Sequence, residues 1–109
     1  MDMHQNINRV ELQGIVGASK VTCIGDKKAV RFSLATNYAY KDKEGYPVIE
    51  TTWHACSVWA EREADLTMYR KGTPLHIEGR IRNIRYTHAS SCERTTLEVV
   101  ATKIERVEL

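Results

Sequence analysis

The segment Thr52-Trp53-His54-Ala55-Cys56-Ser57-Val58-Trp59 offers two kinds of chemistry. An imidazole two residues from a thiol supplies the parts of a cysteine nucleophile and its base. Two tryptophans six residues apart supply flat π faces on which other planar rings can stack. The first reading fails on spacing: on a strand, residues i and i+2 share a face but stand about 7 Å apart, too far for direct proton transfer. It also needs an oxyanion site and a third group to orient the base. Zinc would need close ligands at recognised spacing, whereas Cys23, Cys56 and Cys92 are far apart and form no CxxC pair. No catalysis, metal or cofactor is therefore expected, and His54 is expected to be packed or interfacial.

The second reading gains from strand parity. Trp53, Ala55, Ser57 and Trp59 share one face, and His54, Cys56 and Val58 share the other. A competing reading buries both tryptophans in the core. Cys56 and Val58 are small enough for the inside of a narrow barrel, which turns the tryptophans outward. Further along, Leu75, Ile77, Gly79 and Ile81 make a core face, so Arg80, Arg82 and Tyr86 fall outside. From Gly79 to Arg94 there are four arginines (Arg80, Arg82, Arg85, Arg94) against the single acid Glu93, +3 in 16 residues. Arg85 has the opposite parity to Tyr86. Exposed aromatics interleaved with basic residues suit a single-stranded nucleic acid: bases stack on the rings for about 1–3 kcal/mol each, and Lys and Arg neutralise phosphates.

The elements that carry these residues follow from periodicity. The first strand runs from Asn8 through Gly14 and Gly17 to Ile24, with the glycines marking a bend. The second holds Val30, Phe32 and Leu34, and Lys41-Asp42-Lys43-Glu44-Gly45-Tyr46-Pro47 is a turn. The third strand covers Val48 to Trp59. Ala60 to Lys71 has acids early, bases late and Gly72 just beyond, which predicts a helix. A fourth strand follows Pro74, a polar tip occupies Thr87-His88-Ala89-Ser90-Ser91, and a fifth strand runs from Thr95 to Ala101. Three strands, one helix and two strands is the order of a five-stranded Greek-key OB-fold barrel, all-β with its single helix between strands three and four. A sandwich would need about seven strands.

Whole-chain properties narrow the class. A length of 109 residues makes one domain, residues 1–109, with residues 1–6 expected to fray. Hydrophobic residues at 42% and charged residues at 28% predict a folded chain. A net charge of +2 excludes binding to nucleic acid by bulk charge alone but leaves room for a local basic patch. The polar start lacks the apolar stretch of a secretory signal, and no run reaches the roughly 18 apolar residues of a membrane span. An odd number of unpaired cysteines points to a reducing, cytoplasmic compartment.

Four segments together resemble the bacterial single-stranded DNA-binding protein (SSB) family: Val30-Arg31-Phe32-Ser33-Leu34-Ala35-Thr36, Thr52-Trp53-His54, Arg70-Lys71-Gly72 and Ile77-Glu78-Gly79-Arg80-Ile81-Arg82. They come in the family's order from about Asn8 to Val107. The resemblance implies an OB-fold protomer, usually in a homotetramer though a dimer also fits. It implies sequence-independent binding of single-stranded DNA in replication, recombination and repair, at the nucleoid of a bacterium or in a mobile element. The family's stacking aromatics fall on Tyr40, Trp53, Trp59 and Tyr86, with three changes of ring type. Its basic positions fall on Arg9, Lys43, Lys71, Arg82 and Arg85, beside which Lys41 and Arg80 complete the candidate nucleic-acid contacts. Ala55 stands where the family often has a basic residue, and Gly17-Ala18-Ser19 replaces its Gly-Asp-Pro. The family's acidic, Phe-terminated tail has no counterpart before Leu109, so recruitment of replication partners through it is not expected. A primosomal-type or RNA-binding OB module is the alternative; a sugar-binding OB protein would not need the arginine hairpin.

Overall fold

The computed structural model describes residues 5–87 and 93–108. Residues 1–4, where fraying is expected, Cys92 and most of the polar tip lie outside that set. Five strands, β1 (Val10–Ile24), β2 (Lys27–Lys41), β3 (Pro47–Glu61), β4 (Pro74–Thr87) and β5 (Glu93–Arg106), close into a barrel in the order β1-β2-β3-β5-β4. All pairings are antiparallel except that of β3 with β5, which is parallel and joins at Cys56↔Val99 and Ser57↔Val100. The all-β barrel agrees with the OB architecture expected from strand order.

Closure depends on β1 serving two neighbours. Its first half pairs with β4 from Val10↔Gly79 to Ile15↔Pro74, and its second half pairs with β2 out to Ile24↔Lys27. Within the β2 pairing, which starts at Ile15↔Ala35, the register slips at Val16/Ser19, so the glycine-marked bend is a β-bulge. The Ala18 N–H displaced by the bulge donates to Ser33 Oγ at 3.0 Å, so a side chain replaces the missing rung. The N-terminal limit of β1 is made by a side chain. Asn8 mimics one more rung, accepting from Ile81 N at 2.9 Å and donating to Ile81 O at 2.7 Å.

Burial follows the period-2 pattern in the barrel, with one exception. Ile81, expected on the core face of β4, is 39% exposed, because it lies where the strand leaves the core and lines a surface hollow with Trp53 and Leu97. Val30, Phe32 and Leu34 of β2, Cys56 of β3, Leu75 and Ile77 of β4, and Val99 and Ala101 of β5 form the core around Val16. Each strand is longer than its apolar pattern because the rungs continue past the barrel, as in the β2–β3 ribbon that runs unbroken to Lys41↔Pro47.

The helix expected over Ala60–Lys71 does not form. Ala60 and Glu61 belong to β3, paired with Lys28 and Lys27. What remains is shorter than the roughly 12–15 residues at which a lone helix holds in water. Asp65 accepts a 2.9 Å bond from the Thr67 N–H, which starts a 3₁₀ turn, Thr67–Tyr69, in place of an α-helix. That bond also holds the Asp65 carboxyl below its usual value. The turn delivers Tyr69 into the mouth of the barrel, buried with its ring centroid 5.3 Å from that of Phe32. Gly72 has the left-handed φ of +91° expected of a stop residue, but it ends an irregular connection.

The tightest backbone approach is at Gly79, where a Cβ would strike the carbonyl of Val100. Gly79→Ala is expected to destabilise by at least the upper end of the roughly 1–3 kcal/mol that overpacking costs. Gly25→Ala meets open space at a φ of +59° and should cost only about 1–2 kcal/mol of backbone strain. Urea denaturation of the two variants checks the order, and equal losses would contradict it.

Candidate nucleic-acid interface

The outward row of β3 is Trp53, Ala55, Ser57 and Trp59, and the β2 residues opposite are Ala35, Ser33, Arg31 and Ala29. Both indoles therefore face an alanine across the ladder and stand clear of the sheet, Trp53 60% and Trp59 57% exposed. Their Cα positions lie about 20 Å apart along the strand. Trp53 rests against the β1 bulge: a Cβ on Gly17 would collide with its indole, so only glycine leaves the ring its seat there. Between the indoles the floor is low, because the row holds alanine and serine.

A groove of about 360 Å³ opens over this floor, lined by Lys20 and Arg31 on one side and by Ile84 and Glu98 on the other. A smaller hollow of about 70 Å³ beside Trp59 continues it past Ser57 and Arg82. Arg31 and Lys20 pair across β1 and β2 on the groove side and are exposed. Glu98 is 3% exposed, and its Oε1 accepts from Ser57 Oγ at 2.8 Å and from Arg82 Nε and Nη2 at 3.0 and 2.8 Å.

The structure brings Trp53, Trp59 and Arg82 together here, and Arg80 stands on the same outward parity of β4, exposed. Tyr40 does not join them. By register it shares the face of Thr36 and Leu34, opposite to that of Trp53, and its ring lies 5.9 Å from Tyr38 at 32°. Lys41 and Lys43 are exposed at the end of the same ribbon. Tyr86 pairs with Arg94 near the end of the β4–β5 ladder, and its side chain lies outside the described residues. Arg85, one position away, has the other parity and is exposed. Arg9 lines a separate concavity with Glu11 and Glu78, and Lys71 is exposed in the connection before β4.

Lys20, Arg31, Tyr38, Ser57 and Glu98 were not singled out from sequence. Arg31 had a signal in its alternation with Val30 and Phe32. Glu98 had none, since its burial comes from a strand 41 residues away from Ser57.

Residues 7–107 match the single-strand binding protein family. The chain belongs to that family. It is 30% identical over 103 residues to the single-stranded DNA-binding protein of Neisseria meningitidis, covering 92% of this chain and 59% of the relative. It is 28% identical over 114 residues to the mitochondrial single-stranded DNA-binding protein of Danio rerio, with 95% and 78% covered. The chain thus spans about three fifths of the length of the Neisseria relative. Among solved structures it superposes on the Plasmodium falciparum SSB complex with ssDNA at a TM-score of 0.78 and 24% identity, covering 94% of this chain and 96% of the other. The small single-stranded DNA-binding protein from Streptomyces coelicolor gives 0.64 at 21%, covering 91% and 93%. These structural likenesses carry the OB barrel.

Within this family member the Cys–His pair is structural. His54 Nε2 lies 2.9 Å from Thr36 Oγ1, and Cys56 points into the core with its Sγ 3.6 Å from the His54 carbonyl oxygen. Burial, reinforced by the negative charge of Glu98, pushes the Cys56 thiol up to about 12. It stays protonated at neutral pH and is a poor nucleophile. Among the described residues, Glu11, His76 and Glu78 form a cluster whose ligand atoms lie within 4.8 Å of one another. Glu11 and His76 already engage each other there at 2.8 Å. The thiol assignment has a direct check. In folded Cys92→Ser protein near pH 8, a disulfide reagent should titrate only the exposed Cys23, with Cys56 appearing after denaturation. Two fast-reacting thiols would show Cys56 to be accessible.

Proposed function

We propose that this chain binds single-stranded DNA without reading its sequence, as one OB domain over residues 1–109. The observation that carries the reading is the pair of exposed indoles on one strand, with a low groove and basic residues between them. A duplex keeps its bases stacked inside, whereas an open strand can lay its bases on Trp53 and Trp59. Arg31 and Lys20 stand where phosphates of such a strand would pass. Arg80, Lys41, Lys43, Arg9, Lys71 and Arg85 offer further phosphate contacts at greater distance. Tyr40 and Tyr86 extend the stacking surface along the two hairpins, Tyr40 by way of strand that wraps around the β2–β3 ribbon to its other face. Arg82 lies in the groove already ion-paired to Glu98.

Two comparisons support the reading: the family match over nearly the whole chain, and a relative solved with ssDNA bound. By the family likeness the protein acts in replication, recombination and repair, as a homotetramer in a bacterial cytoplasm. Among the described residues no helix is long and apolar enough to cross a membrane. No catalytic step is proposed.

Titration with oligo-dT, followed by tryptophan fluorescence, should quench both indoles. Salt should reverse the effect and an equivalent duplex should not reproduce it. Unchanged emission at saturating oligonucleotide would defeat the proposal. Trp53→Ala should weaken binding by about 1–3 kcal/mol while the barrel stays folded, since the ring it removes lies outside the core. Loss of folding instead would show that Trp53 acts structurally.

A further inference from the structure

The groove contains a carboxylate where a polyanion is to lie. Glu98 lines the groove yet is almost fully buried beneath Arg82, whose side chain is 43% exposed. Three donors converge on one oxygen, Oε1: Arg82 Nε, Arg82 Nη2 and Ser57 Oγ, all within 3.0 Å. Nε and Nη2 form one forked edge of the guanidinium, of the kind that grips a phosphate with two parallel N–H bonds, and here that edge is taken by Glu98. Arg31 differs: it is exposed on the opposite wall and makes no ion pair among the described residues.

We infer that Glu98 is a positioning residue that pins Arg82 into the groove floor and cancels its charge, so that Arg82 adds no phosphate contact when a strand binds. This rests on the single-stranded DNA reading and refines it. Turning Arg82 to a phosphate would leave Glu98 buried with only a hydroxyl for company. An uncompensated buried charge costs more than an exposed phosphate contact returns. The pair therefore stays closed in the complex. Attraction in mid-groove then comes from stacking on the indoles and from the unpaired Arg31, and binding is less salt-sensitive than the arginine content predicts.

The test is the slope of log K against log salt for oligo-dT. Glu98→Gln keeps an acceptor for Arg82 but removes the charge that cancels it. It should bind more tightly at low salt, with a slope steeper by about 0.7, the value of one more phosphate neutralised on a single strand. Raising salt fourfold should then cost this variant roughly 2.5 times more affinity than wild type. The charge-free double variant, Arg82→Met with Glu98→Gln, removes the neutral pair as a whole and should keep the wild-type slope; it also serves if Glu98→Gln alone fails to fold. A Glu98→Gln slope equal to or shallower than wild type overturns the inference, as does a shallower slope in the double variant. Wild-type binding with these contrary slopes leaves the DNA reading standing; no wild-type binding at all removes both.

Discussion

The narrowness of the barrel is the constraint on which the rest depends. A five-stranded barrel has room on β3 for a side chain such as Cys56, which is 2% exposed among Val30, Phe32, Leu34 and Val99. Because strand side chains alternate strictly, admitting Cys56 sends Trp53 and Trp59 outward. The unbroken β2–β3 ladder then fixes which neighbours they meet. A slip of one residue would bury the indoles and expose the core set, so the register that stabilises the protein also creates its ligand face.

The same alternation explains how a chain of +2 net charge can serve a polyanion. Outward positions of β1 and β2 place Lys20 and Arg31 side by side at the groove, while Glu11 and Glu78 line a separate concavity with Arg9, and Glu105 is ion-paired to Lys103. What matters is the local balance at the groove and not the total. Glu98 is the exception, a carboxylate inside the groove, and its threefold hydrogen bonding is what makes it tolerable there.

Strands and faces were legible because their signal is local. Val30-Arg31-Phe32-Ser33-Leu34 alternates regardless of what surrounds it, and the bend expected at the glycines of β1 coincides with a register shift between Val16 and Ser19. The helix was misread for the opposite reason. The residues from Ala60 to Lys71 have helical composition and helical charge order, yet pairing of Ala60 and Glu61 with β2 and the burial of Tyr69 claimed both ends. Tertiary contacts outweigh propensities of a few tenths of a kcal/mol per residue. Tyr40 teaches a related lesson. The family pattern groups it with Trp53, while the register of the ribbon sets the two on opposite faces.

The sequence by itself determined the strand count, the inward and outward rows, the exposed tryptophans and the family pattern, because each is a matter of period or of residues close in the chain. Only the tertiary structure decided what lies beside what across the groove. Arg31 faces Ile84 and Glu98 because the barrel closes through two parallel rungs between β3 and β5. Among the described residues Arg82 is held in an ion pair and Arg31 is not, because Glu98 arrives from 16 residues beyond Arg82, beneath that arginine and across the groove from the other. Such distances are set by barrel closure, which no local pattern encodes.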